Sequence, residues 1–155
     1  MEFQIETQQL FIDFKKVYDK VNRNQLYKTM LEFGIPPKLV RLIQATMEGT
    51  TAKVKVKNEL SESFRIRNGL RQGDALACIL FNIALEKIIH DANINQRGNI
   101  FYKSVQILAY ADDIDIISRS PKSLQEATIA LDRAARRMGL EINPYPANVE
   151  NRVSL

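Results

Sequence analysis

Apolar residues along this chain recur with two different periods, and the places where the period switches divide it into elements. Residues 9–14 (QLFIDF) are a short apolar run ending around Asp13 and read as a strand. A helical pattern follows over about 24–33 and is closed by Gly34. Pro36 and Pro37 then interrupt the chain. Leu39, Leu42, Ile43 and Met47 recur at helical spacing, so a second helix starts near Pro37.

From 51 to 57 the period becomes two, with Ala52, Val54 and Val56 on one face and Lys53, Lys55 and Lys57 on the other, the pattern of a half-buried strand. Asn58 and Glu59 can turn it into a partner strand near 63–67, which leads into a glycine-bearing loop at 68–74. A long apolar helix spans about 75–91, and residues 93–99 are polar and turn-like. The apolar runs 105–110 and 114–118 flank Ala111, Asp112 and Asp113, which predicts a hairpin with acids at its tip. Ser120 as N-cap and Pro121 at the first helical position open a last helix. Leu124, Leu131 and Met138 share one of its faces, and Gly139 stands past its end.

Short antiparallel strands mixed with long helices, without regular alternation, indicate an α+β fold: a small antiparallel sheet with helices packed on one face. Residues 1–143 read as one domain and residues 144–155, with two prolines and little periodicity, as an unstructured tail.

Composition narrows the class. A chain of 155 residues with 45% hydrophobic and 26% charged residues has the make-up of one globular domain. Twenty-two Lys and Arg against eighteen Asp and Glu leave a net charge of +4, which suits a polyanionic partner as well as an ordinary basic surface. One cysteine, Cys78, excludes an internal disulfide and a cysteine zinc site and leans towards a reducing compartment. The N-terminus lacks the pattern of a secretory signal, and the longest apolar stretch, ALACILFNIAL, is too short to span a membrane. A soluble intracellular protein without a membrane partner is expected.

Asp13 at a strand end and Asp112 and Asp113 at a hairpin tip would converge if those strands lay side by side. Three carboxylates supply hard oxygen ligands of the kind that Mg²⁺ or Mn²⁺ takes, and two such ions can assist phosphoryl transfer. Taken singly, each acid is equally an ordinary turn residue. Four segments then carry a resemblance. FIDFKKVYDKV (residues 11–21), GLRQGDALACILFN (69–82), YADD (110–113) and GLEIN (139–143) are similar, in order, to successive motifs of LINE-type (non-LTR) retrotransposon reverse transcriptases.

The resemblance implies a polymerase palm, with fingers and thumb supplied by missing segments of a longer polyprotein. It also implies RNA-templated addition of deoxynucleotides (dNTP) to a DNA primer. Asp13 and Asp112 would be the principal ligands of two Mg²⁺ ions, for which Mn²⁺ can substitute. Asp113 would stand beside them and the backbone carbonyl of Phe14 would contribute; Asp13, Asp112 and Asp113 are thereby the catalytic set. Tyr18 matches the aromatic steric gate against a 2′-hydroxyl, and backbone amides near Lys16 and Val17 would meet the triphosphate. Gln72 and Gly73 match the loop bordering the incoming nucleotide. Arg71 and Tyr110 are assigned to the nucleic acid. The chain departs from the family pattern in two ways: no lysine follows Lys122, and Ala77 and Cys78 replace the usual Ser-Pro after the glutamine loop.

Asp19 and Asp115 read as surface acids, and His90 and Cys78 as structural. The lysine stripe at 53, 55 and 57 is most simply the wet face of a strand. A truncated, catalytically inactive remnant that only binds nucleic acid is the alternative reading. An RNA-templated RNA polymerase shares paired aspartates, but the Tyr18 gate and the RQGD loop argue against it.

Overall fold

The tip of one hairpin organises the molecule. In the computed structural model, which describes residues 7–71, 73–94 and 105–143, strands β6 (Val105–Tyr110) and β7 (Asp113–Ser118) are joined by a loop of only two residues, Ala111 and Asp112. Ala111 takes a left-handed conformation, φ 53°, as so tight a reversal requires. Strand β1 (Gln8–Ile12) pairs antiparallel with the other side of β7, giving the order β1-β7-β6. Among the described residues five helices complete the fold: α1 (Val17–Lys20), α2 (Arg23–Glu32), α3 (Pro37–Met47), α4 (Ala75–Ala92) and α5 (Pro121–Arg137). Helix α5 lies against all three strands, α4 against α5, α2 against α4, and α3 against α2. The α+β expectation, a small antiparallel sheet with helices on one face, therefore holds.

Local chemistry sets the helix starts. The Asn22 side chain accepts a hydrogen bond from the Gln25 amide at 3.2 Å. Asp74 accepts from the Leu76 amide at 3.0 Å, and Ser120 from the Ser123 amide at 3.4 Å. Each bond satisfies a donor that the first helical turn would otherwise leave unpaired. The covered sheet face contributes Ile12, Ile114 and Ile116 to one core with Leu26, Leu80, Phe81, Leu131 and Leu140. No helix among the described residues is long and apolar enough to cross a membrane.

Several expectations need correction. The strand expected over 51–57 is broken into β2 (Thr51–Ala52) and β3 (Lys55–Val56), which pair with β5 (Phe64–Arg65) and β4 (Glu59–Leu60) respectively. Its turn is at Lys57 and Asn58, one residue earlier than expected, with Lys57 at φ 54°. The face is not half-buried: Val54 is 51% and Val56 64% exposed, because among the described residues no helix packs closely over this hairpin. The short helix α1 has no counterpart in the sequence reading. Residues 95–99, Gln72 and the tail 144–155 lie outside the described residues.

The uncovered sheet face carries one feature that alternation alone hides. Phe11 and Leu108 both pair across the ladder with Asp115, and in an antiparallel ladder directly opposed residues project to the same face. Asp115 is consequently half-buried rather than a surface acid. One of its oxygens accepts a hydrogen bond from the Gln9 side-chain amide, and its Oδ1 is buried without a partner. Burial pushes the Asp115 carboxyl above the ordinary carboxylate range, partly offset by the bond from Gln9.

The loops rest on two glycines. A Cβ at Gly69 would stand 2.6 Å from the Tyr18 carbonyl oxygen, and one at Gly139 would stand 2.7 Å from that of Lys20; both residues have positive φ. Arg23, buried at the start of α2, donates from Nε to the Gly69 carbonyl at 2.8 Å and from Nη1 to that of Met47 at 2.7 Å.

Gly69→Ala should therefore destabilise the fold by at least ~2 kcal/mol, a drop in Tm of roughly 4–8 °C for a chain of this size, measured by circular dichroism. An unchanged midpoint would contradict the close approach. Asp115→Asn tests the buried carboxylate. Because its folded pKa is raised, the ionised group opposes folding above that pKa, and the penalty disappears as pH falls below the unfolded value. The Asn variant should thus be more stable than wild type at pH 7, by about 1 kcal/mol, with the gain vanishing below about pH 4. A pH-independent difference between the two melting curves would show that burial of this charge is not the cause.

Candidate active site

Strand register brings the first and third aspartates together. The last β1–β7 pair is Ile12 with Ile114, so the next residues in that register are Asp13 and Asp113. Along 11–14 exposure alternates, with Phe11 and Asp13 exposed and Ile12 and Phe14 buried, so Asp13 shares the open face with Phe11. Both acids line one concavity of about 680 Å³, together with Phe11, Leu108, Tyr110 and Asp115. Tyr110 is 85% exposed and forms the ridge between this concavity and a second one, lined in part by Tyr18, Cys78, Asn82 and Glu86.

Asp112 occupies the two-residue loop, and its charge is felt at Tyr18. The Tyr18 hydroxyl lies 3.9 Å from the Cys78 sulfur, and its ring is tilted 48° against Phe81 with centroids 5.6 Å apart. The Tyr18 phenol is raised above its ordinary pKa, first by the contact with Cys78, then by burial and by the negative charge of Asp112. Cys78 is exposed on α4. A sequence gives the face of a helix but not what stands opposite it, so the contact with Tyr18, sixty residues away, carried no signal.

The donor set is all carboxylate and chemically fits a hard divalent cation. Its convergence is incomplete: among the described residues no three His, Cys, Asp or Glu side chains gather closely enough to hold a metal ion. The structure juxtaposes Asp13 with Asp113 and places Asp112 in the loop.

A second neighbour of Asp13 was not assigned a role from sequence. Phe14 forms an antiparallel bridge with Ile142, flanked by Lys15 N–H donating to the Glu141 carbonyl at 3.0 Å and Asn143 N–H donating to that of Asp13 at 2.8 Å. The ladder bonds thus come from the residues on either side of Phe14, which directs the Phe14 carbonyl away from this partner. The Asn143 side-chain amide donates to Asp13 Oδ2 at 3.2 Å, and Lys20 pairs with Glu141 at 2.9 Å.

Of the remaining expected contacts, Lys16 is exposed in a left-handed conformation, φ 48°, and Val17 is buried at the first turn of α1. Arg71 and Gly73 are exposed on the loop before α4. Gln72 is outside the described residues.

Comparison with known proteins gives this geometry its context. A family model described as reverse transcriptase (RNA-dependent DNA polymerase) matches residues 4–145. A Pol polyprotein from the type-1 retrotransposable element R2 of Popillia japonica is 27% identical over 135 residues, covering 86% of this chain and 22% of that protein. A Pol polyprotein from the type-2 element R2DM of Drosophila melanogaster is 26% identical, covering 85% of this chain and 12% of its own. The chain thus spans about a fifth or less of these relatives. Among solved structures, a Candida tropicalis telomerase in complex with a fragment of telomeric RNA superimposes with TM-score 0.69 over 97% of this chain and 28% of its own, at 17% identity. A telomerase from the same organism lacking its C-terminal domain gives TM-score 0.64 over 89% of this chain and 29% of its own, at 18% identity. At such identities these two matches speak for the fold alone, and they agree with the palm expected from sequence. The family model's match over most of its length identifies the chain as a member of the reverse transcriptase (RNA-dependent DNA polymerase) family.

Proposed function

We propose that this chain carries the catalytic palm of an RNA-directed DNA polymerase that extends a DNA primer on an RNA template. The observation that carries the reading is the pair Asp13 and Asp113 around one concavity at the end of a three-stranded sheet, with Asp112 in the adjoining two-residue loop. Residues 1–143 form the palm in this reading and residues 144–155 a tail.

Asp13 and Asp112, with Asp113 beside them and the Phe14 carbonyl, would hold two Mg²⁺ ions. When bound, such ions activate the attacking hydroxyl and stabilise charge on the leaving oxygens, and Mn²⁺ can substitute. The chain's own residues then bind and orient. Tyr18, its ring braced by Phe81, would act as the gate against the 2′-hydroxyl of a ribonucleotide. The backbone at Lys16 and Val17 would meet the triphosphate of the dNTP, and Gln72 and Gly73 would border its base. Arg71 would contact phosphate. Tyr110, on the ridge between the two concavities, would meet the nucleic acid with its ring.

A second reading, an inactive remnant that only binds nucleic acid, is favoured by the incomplete gathering of the carboxylates and by the lack of any lysine after Lys122. Primer extension separates the two. The purified chain is given poly(rA), oligo(dT), dTTP and Mg²⁺ or Mn²⁺, beside Asp13→Asn and Asp112→Ala. The palm reading expects incorporation by the wild type and a loss of about 10²-fold or more in each variant. It also expects Tyr18→Ala to accept ribonucleotides that the wild type rejects. Incorporation undiminished in both aspartate variants would sink the site; no incorporation by the wild type, with salt-sensitive binding of the template, is the outcome the remnant reading expects.

A further inference from the structure

We propose that Asn143 is a positioning residue for Asp13, holding its carboxylate so that one chosen oxygen faces the concavity. This inference rests on the reading of Asp13 as a metal ligand. It goes beyond that reading by giving a function to the end of the GLEIN segment.

Asp13 lies one residue past the last β1–β7 pair, so the sheet does not fix it on that side. Residues 141–143 do so from the opposite side. The Asn143 N–H is bonded to the Asp13 carbonyl at 2.8 Å, and Lys15 N–H to the Glu141 carbonyl at 3.0 Å. These bonds set the backbone. The torsion that rotates a carboxylate about its own axis is broad and poorly determined, and here the Asn143 amide settles it by donating to Oδ2 at 3.2 Å. Oδ1 is then the oxygen left to face a cation.

The chemistry of the donor matters. A lysine or arginine at 143 would neutralise Asp13 and compete with a cation for it, whereas a neutral amide orients the carboxylate and leaves its charge intact. Asn143 Oδ1 is buried without a hydrogen-bond partner. A buried polar atom left unpaired costs free energy, so packing alone gives no reason for an amide here; the bond to Asp13 does. The segment is itself anchored, by Lys20 on Glu141 at 2.9 Å and by the close approach of Gly139 to the Lys20 carbonyl.

Hydrogen bonds that orient metal ligands typically contribute 10–100-fold, in round terms about tenfold or more, to cation affinity. The test is Mn²⁺ binding to the whole chain, followed by the electron paramagnetic resonance signal of free Mn²⁺, without nucleotide or template. Wild type, Asp13→Asn, Asn143→Ala and Asn143→Asp are compared, with the Tm of each taken in the absence of metal. Wild type should bind Mn²⁺ and Asp13→Asn should not. Asn143→Ala should weaken binding about tenfold or more. Asn143→Asp sets a second carboxylate against Asp13, and should melt below wild type without metal yet bind Mn²⁺ at least as tightly.

Both Asn143 variants lose the same hydrogen bond, so a purely structural role would weaken binding in both, in step with Tm. That result would overturn the proposal, as would Mn²⁺ binding by Asn143→Ala equal to wild type while Asp13→Asn loses it. Mn²⁺ binding that ignores Asp13→Asn, or no binding by the wild type, would instead overturn the metal reading of Asp13 and this inference with it.

Discussion

The fold depends on how closely two separate stretches of backbone approach residues 18–22. Gly69 lies against the carbonyls of Tyr18 and Asp19, and Gly139 against that of Lys20 and the amide of Asn22, at distances that leave no space for a Cβ. The contacts are hydrogen-bonded as well as close: Gly69 N–H donates to the Val21 carbonyl and Asn22 N–H to the Met138 carbonyl, both at 2.8 Å. Backbone groups buried at such a crossing must find partners, and here they find one another. The arrangement joins the first, second and fourth motif segments at one point in space. The third, carrying Asp112 and Asp113, arrives through the sheet.

Electrostatics follow from this scaffold. The helices cover one sheet face with an apolar core, while the other face presents Phe11, Leu108 and Tyr110 to solvent around Asp13, Asp113 and Asp115. Asp115, half-buried among apolar side chains, is the poorly solvated one, and burial raises its carboxyl; Asp13 and Asp113 are exposed. The chain's net charge of +4 is therefore not the charge of its site. Lys15, Lys16 and Arg71 are exposed.

Much of this was legible in the sequence where the signal is local. Ser120, Pro121 and the apolar face of α5, the span of α4, and the β6–β7 hairpin all depend on neighbours within a few residues and stand where the pattern put them, except that Asp113 opens β7 instead of sitting in the turn. The strand at 51–57 failed because alternation of Val and Lys shows which side chains share a face, not whether anything covers that face. Asp115 was misread for the converse reason: its neighbours Phe11 and Leu108 come from other strands. The contact of Cys78 with Tyr18 and that of Asn143 with Asp13 span 60 and 130 residues, so they depend on tertiary placement and left no periodic trace. Asp13, Asp112 and Asp113 were identifiable as candidates from residue type and motif order, but not their division into a facing pair and a loop residue.

The central claim is that the crossing at residues 18–22 is part of the cooperative core rather than a surface loop contact. Native-state hydrogen exchange on the whole chain, read at the amides of Asn22, Gly69 and Asn143, tests it most directly, because such exchange reports the free energy of local opening. The account predicts that these three amides exchange as slowly as those in the middle of α5, opening only when the whole domain unfolds. Fast exchange at all three while α5 stays protected would contradict it, and would show that the motif segments meet without holding the site together.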